Sequence, residues 1–114
     1  MPQDCIFCKI STGQLTSEIL RREDNCFAIR DIAPKAPVHL LIIPDRHFTH
    51  LTKLTPKFYP ILGEMFRLAT DMAVEKEVES KGYRLIINQG DHAGQVIPHL
   101  HLHLLAGKSL NNLG

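Results

Sequence analysis

The chain has 114 residues, 13 Lys and Arg against 12 Asp and Glu, and a formal net charge of +1. That length suits one domain, residues 1–114, with a core large enough to need no disulfide staples, and so small a charge supplies no field for nucleic acid or an anionic membrane surface. The longest apolar run, Val38 to Pro44, is far short of a bilayer span and Met1-Pro2-Gln3-Asp4 does not read as a signal peptide, so a cytoplasmic protein is expected.

Residues 5 to 11 suit a short helix whose start carries Cys5 and Cys8. A Cys-x-x-Cys pair is a redox motif or half of a zinc site. A redox motif normally follows a strand, and none precedes this one; tetrahedral zinc needs two more nitrogen or sulfur ligands. The third cysteine, Cys26, makes the number odd, which argues against a disulfide framework, and its apolar setting predicts a core position. Glu18 to Arg22 and Cys26 to Asp31 read as a hairpin around Glu23-Asp24-Asn25, and Pro34 and Pro37 confine Ala33 to Pro37 to a loop. Val38 to Ile43 follows as a buried strand in which His39 is expected to pack rather than react.

Thr55-Pro56 looks like an N-cap with proline at the first helical position, and Ile61, Leu62, Met65, Leu68, Ala69 and Met72 form a helical apolar stripe. Pro60 removes an early helical hydrogen bond, so either the first turn is distorted or the regular helix begins near Pro60. The stripe fades into Glu75 to Ser80, and Gly82 ends it. Tyr83 to Asn88 and His99 to Leu105 are the last two strands, joined by a glycine-bearing loop. The order α-β-β-β-α-β-β forbids a doubly wound parallel sheet and predicts an antiparallel α+β layer.

The run His99-Leu100-His101-Leu102-His103-Leu104-Leu105 carries the chemistry. Side chains two apart on a strand share a face, so the leucines are expected in the core and the three imidazoles in a row about 13 Å long on the other side. Such a row serves metal ligation or nucleophilic and acid/base work on phosphorus or carbonyl. The ends of the row are too far apart for all three rings to bind one ion.

This pattern resembles the signature of the histidine triad superfamily of nucleotide hydrolases and transferases, and the resemblance covers nearly the whole chain. Asp4 to Ile10 is similar to that family's opening, Asp31 to Pro37 to its ribose-contacting turn, and Ile43-Pro44-Asp45-Arg46-His47 to its first histidine site. Tyr83 to Gly90 and Ala93-Gly94-Gln95 complete the match, and the order and spacing resemble the Hint branch. The resemblance implies a HIT-like α+β fold: a five-stranded antiparallel sheet with one short N-terminal helix and one long helix. It implies structural Zn2+ on Cys5, Cys8, His47 and His99, no organic cofactor, and a homodimer paired through the long helix and a sheet edge.

For the site, the resemblance implies His101 as the nucleophile, with a nearby backbone carbonyl holding the proton on its other ring nitrogen, and His103 as donor to a phosphate oxygen. Backbone amides after Gly94 would do the same, since glycine allows close approach. Asp31 would accept the ribose diol, its bland reading being a turn residue. Ile6, Phe7, Ile10, Ile29 and Ile32 match positions that sandwich the base, which bottom-up are merely apolar. Asn88 fits the phosphate-side amide, and Gln95 and Val96 fall in the same binding segment. His50 and His92 match nothing in the motif and read as loop residues, while Lys81, Arg84 and Lys108 read as surface.

Two departures bear on substrate preference. Val96 stands where eukaryotic Hint proteins carry a serine that donates to the leaving group, and valine cannot donate. The tail Gly107 to Gly114 lacks their tryptophan-containing end. The expected activity is hydrolysis of purine nucleoside 5'-phosphoramidates at the P–N bond, or of aminoacyl adenylates, through a nucleotidyl-histidine intermediate at His101. A dinucleoside polyphosphate hydrolase and a zinc-stabilised nucleotide-binding module with little turnover are the alternatives.

Overall fold

A computed structural model describes residues 4–113. Met1 to Gln3, most of the segment read above as no signal peptide, and Gly114 at the end of the tail lie outside them. The elements in chain order are helix α1 (Ile6–Thr12), strands β1 (Arg21–Arg22), β2 (Cys26–Arg30) and β3 (Val38–Pro44), helix α2 (Tyr59–Glu75), and strands β4 (Tyr83–Ile86) and β5 (Leu102–Ala106). The five strands form one antiparallel sheet in the order β1-β2-β3-β5-β4, so the C-terminal strand is inserted between β3 and β4. This is the α+β architecture expected.

The sheet is covered on both sides. On one face α2 lays Ile61, Met65, Leu68, Ala69 and Met72 over Ala28, Leu40, Ile42, Leu100, Leu102 and Leu104. The alternation of β5 thus sends its leucines where the period-two pattern requires. On the other face α1 brings Cys5, Phe7, Cys8 and Ile10 against Phe27, Ile29, Leu41 and Ile43. The histidine face is therefore a second, smaller core rather than a solvated row. Cys26 is fully buried, as its apolar setting predicts.

Several boundaries differ from the sequence expectation, each for a local reason. β5 begins at Leu102, not His99. The β3–β5 ladder ends at the pair Ile42↔Leu102, and two residues on, β3 presents Pro44, which has no N–H to continue it. His99 sits in a bend there, and its ring takes the Pro44 carbonyl at 2.8 Å. Thr55 starts a single 3-10 turn, Pro56–Phe58, without a side-chain cap, and α2 begins at Tyr59 with Pro60 in its first turn, where a missing N–H costs nothing. α2 stops at Glu75, well before Gly82, because Glu77 adopts a left-handed φ of 59°. β4 stops at Ile86 rather than Asn88. β1 is only two residues long, Arg21↔Ala28 and Arg22↔Phe27, so the hairpin's first arm is shorter than Glu18 to Arg22. Arg84, expected as plain surface, donates to the Leu110 and Asn112 carbonyls at 2.8 and 2.6 Å and pins the tail.

Candidate active site and metal centre

The N-terminus of α1 meets the end of β3 and the bend before β5, and this junction gathers Cys5, Cys8, His47 and His99. Their ligand atoms all lie within 4.8 Å of one another. Cys5 Sγ is 3.2 Å from His99 Nδ1, Cys8 Sγ is 3.4 Å from His47 Nδ1, and Cys8 Sγ is 3.7 Å from His99 Nδ1. A zinc tetrahedron with Zn–S of about 2.3 Å and Zn–N of about 2.0–2.1 Å has S···N edges of roughly 3.5 Å, so the set is close to coordination geometry.

The surrounding hydrogen bonds present the correct nitrogens. His99 Nε2 meets the Pro44 carbonyl at 2.8 Å; a carbonyl only accepts, so Nε2 carries the proton and Nδ1 keeps its lone pair toward the sulfurs. The hydroxyl of Thr49 gives its one proton to the Pro98 carbonyl at 3.0 Å, so toward His47 Nε2 at 3.3 Å it accepts, and His47 Nδ1 is also free to ligate. Burial first, then the hydrogen bond with Cys5, pushes the Cys8 thiol up to about 11, and burial pushes His99 down to about 4. At neutral pH the imidazoles are thus in ligating form, and a cation would have to displace the Cys8 proton. The donor set fits zinc. Ser11 Oγ donates to Asp45 at 2.6 Å and Arg22 reaches the same carboxylate at 3.0 Å, tying α1 to the end of β3 independently of any metal.

His99 also reaches the neighbouring site through its backbone. Its carbonyl accepts from His101 Nδ1 at 2.7 Å, which places the His101 proton on Nδ1 and leaves Nε2 with a lone pair. The backbone-carbonyl partner expected for the nucleophile is therefore His99 itself. Phe7 packs edge-on against both rings, with centroids 5.6 Å from His99 and 5.2 Å from His101.

The third triad ring is oriented by a residue that the sequence reading set aside. His39 is buried, and its Nδ1 accepts the Lys35 backbone N–H at 3.0 Å, so its proton lies on Nε2. That proton points to His103 Nδ1 at 2.9 Å, with Asp31 Oδ2 at 3.3 Å. His103 must then carry its own proton on Nε2, where it can donate into the cleft. Burial first, then the neighbouring His101, pushes His103 down to about 4; burial also lowers His39, so both rings are neutral at pH 7. Asp31, His39 and His103 form a second group whose ligand atoms lie within 4.8 Å. The Lys35 N–H excludes them as a metal site, because it occupies His39 Nδ1 and leaves Nε2 a donor without a lone pair. A signal for His39 was present in the sequence: an imidazole inside a wholly buried strand requires a polar partner.

These groups line a cleft of about 380 Å³. Of the expected nucleotide contacts, Phe7, Asp31, Asn88, Gly94, Val96, His101 and His103 line it; Lys35 and His39 do so as well. Ile6, Ile10, Ile29, Ile32 and Gln95 are not among the lining residues. Ile10 and Ile29 are consumed by the core under α1, Ile6 is 40% exposed on the outside of that helix, and Ile32 is 97% exposed. Gln95 turns inward and accepts the Gly90 N–H at 2.9 Å, closing the loop in which Gly94 adopts φ 86°. Asp31 fulfils its turn reading through one oxygen, Oδ1, which accepts the Ala33 N–H at 2.8 Å, while Oδ2 faces His39. His50 is an exposed loop residue, and His92 is exposed in a single 3-10 turn, Asp91–Ala93, within the glycine-bearing loop. A larger hollow of about 640 Å³ between Glu77, Lys81 and Lys108 has no imidazole or cysteine among its lining residues.

Comparison with known proteins agrees with this architecture. The family model described as HIT domain matches residues 12–110. An uncharacterized HIT-like protein of Synechococcus elongatus is 39% identical over 110 residues, covering 96% of each chain. The purine nucleoside phosphoramidase of Escherichia coli (strain K12) is 37% identical over 110 residues, covering 96% of this chain and 92% of that protein. Among solved structures, a histidine triad protein from Clostridium difficile superposes with a TM-score of 0.93 at 37% identity, covering 100% of this chain and 99% of the other. A HIT family hydrolase from Clostridium thermocellum does so with a TM-score of 0.93 at 39% identity, covering 98% and 97%. With its model matched over most of the chain and the fold shared end to end, the protein belongs to the HIT domain family.

Proposed function

We propose that the chain is a nucleotide hydrolase that cleaves the P–N bond of purine nucleoside 5'-phosphoramidates, or hydrolyses aminoacyl adenylates, through a nucleotidyl-histidine intermediate on His101. The observation that carries this reading is the His101 Nδ1 to His99 carbonyl contact of 2.7 Å, which makes Nε2 an unprotonated nucleophile facing the cleft. In the first half-reaction Nε2 bonds to the α-phosphorus and the P–N bond breaks, or in an aminoacyl adenylate the P–O bond to the acyl group. The electron pair of the broken bond leaves with the amine, which takes a proton from solvent, or with the carboxylate, which needs none. In the second half-reaction water attacks the same phosphorus and gives up a proton to solvent, the P–Nε2 bond breaks with its electron pair returning to Nε2, the nucleoside monophosphate departs and His101 returns to its starting form.

His103 Nε2–H supplies a donor to a phosphate oxygen in both steps, held to that task by His39. Asp31 accepts from the ribose hydroxyls, and Asn88, Gly94 and Val96 border the phosphate side. Val96 is 87% exposed and its side chain has no hydrogen-bond donor for the leaving group, so departure draws its proton from solvent. Zn2+ on Cys5, Cys8, His47 and His99 is structural in this account, since four protein ligands leave no open position. The same reading includes a homodimer through α2 and the sheet edge; β4 is an edge strand, and Tyr59, Phe66 and Val74 on α2 are exposed apolar residues. The name of the Escherichia coli relative supports the reaction class.

The test is to supply adenosine 5'-phosphoramidate, diadenosine polyphosphates and AMP in turn. Rapid cleavage of the first supports the proposal. Preferential cleavage of the second replaces it with a dinucleoside polyphosphate hydrolase, and AMP binding without turnover of either substrate reduces the protein to a binding module.

A further inference from the structure

The cleft has a lopsided charge inventory for an anionic substrate. Among the described residues that line it, Asp31 is the one carboxylate and Lys35 the one lysine or arginine. His39 and His103 are neutral at pH 7, and His101 must have a free lone pair to attack. The triad can therefore donate hydrogen bonds to a phosphate but cannot balance its charge. Lys35 is exposed and enters no ion pair among the described residues, whereas nearby Arg30 is engaged with Glu18. Its backbone is anchored through the N–H bond to His39, and its charge acts on that ring, lowering His39's affinity for a proton.

We infer that Lys35 is the charge-selecting residue of the site, its ammonium making the cleft prefer a phosphorylated nucleoside over the bare nucleoside. This rests on the nucleotide reading above and deepens it by naming the residue that recognises the anion. The ammonium is carried on an exposed side chain, so its attraction for the phosphate is screened by solvent and acts in the binding step. The Lys35 side chain makes no hydrogen bond to His39, His101 or His103 among the described residues, so the main effect of the ammonium falls on binding.

The experiment measures calorimetric affinities of AMP and adenosine for wild type, Lys35→Gln and Lys35→Arg at about 20 mM and about 500 mM salt, where screening differs strongly. The expected result for Lys35→Gln is AMP binding roughly three- to tenfold weaker at low salt, adenosine binding unchanged, and most of the salt dependence gone. Lys35→Arg retains the AMP preference, and in turnover Lys35→Gln raises KM by a larger factor than it lowers kcat. AMP affinity and salt dependence that survive Lys35→Gln overturn the inference while leaving the nucleotide reading intact. Equal weakening of AMP and adenosine also overturns it, because it assigns Lys35 to the turn alone. A wild type that binds neither ligand refutes the nucleotide reading, and the inference with it.

Discussion

Replacing His39 with alanine tests whether the buried ring sets the proton positions of the site. Two things are lost: the acceptor for the Lys35 N–H at 3.0 Å and the donor to His103 Nδ1 at 2.9 Å. Each orphaned group costs about 1–3 kcal/mol if it stays dry, so a stability loss of a few kcal/mol is expected on the thermal melt. The larger signal is in turnover. Without His39, the His103 proton is free to move to Nδ1, which removes from the cleft a donor of the kind worth about 2–4 kcal/mol in a transition state. At 1.36 kcal/mol per decade, kcat for adenosine 5'-phosphoramidate falls between about thirtyfold and about a thousandfold, with AMP affinity changed far less. His39→Gln recovers part of the rate because its amide has both an acceptor and a donor. Because His39 acts through His103, the double variant His39→Ala/His103→Ala should be no slower than His103→Ala alone. Additive losses, or a His39→Ala enzyme within twofold of wild type, would refute the relay.

Three further outcomes follow from the geometry. Protein purified without chelator should contain about one zinc per chain by elemental analysis, and Cys8→Ser should lose the metal together with thermal stability; metal-free wild type that melts identically with and without chelator ends the zinc assignment. Asp31→Ala should weaken nucleotide binding by roughly 1.5–3 kcal/mol and blunt the discrimination between ribose and 2'-deoxyribose substrates, whereas an unchanged ribose preference assigns Asp31 to the turn that its Ala33 contact already makes. His103 titrates at about 4 in the folded chain against 6.5 for a free ring, so the unfolded chain takes up that proton first. The stability it contributes is complete above about pH 6.5 and is lost as pH falls toward 4; a His103→Asn variant should melt with a shallower acid slope, and an identical slope counts against a buried neutral ring.

What the sequence made legible is what periodicity and turn chemistry encode. The apolar stripe of α2 and the inward leucines at 100, 102 and 104 are buried as their spacing requires. The glycine loop and the Cys-x-x-Cys start of α1 were legible as motifs, and His47 and His99 join that pair in space. The remainder depends on contacts that no local pattern reports. The apolar strand around His39 signals that its ring needs a polar partner, but only the fold reveals that Lys35, Asp31 and His103 supply the surroundings. The start of β5 is not legible because the ladder ends at the Ile42↔Leu102 pair, short of a proline on a different strand, Pro44. Ile10 and Ile29 read equally well as base contacts or core, and the packing of α1 against the sheet makes them core. The insertion of β5 between β3 and β4 is likewise a tertiary fact.

The claim on which the account turns is that His101 Nε2 bonds covalently to the α-phosphorus. The most direct measurement mixes wild type with α-phosphorus-labelled adenosine 5'-phosphoramidate, quenches in base, where phosphorus–histidine linkages survive better than in acid, and maps the label by peptide mass spectrometry. The account predicts labelled AMP on the peptide that contains His101, no label on His101→Ala, and loss of nearly all turnover in that variant with AMP binding retained. Absence of any adduct, together with substantial activity in His101→Ala, would contradict it and leave direct attack by water as the mechanism.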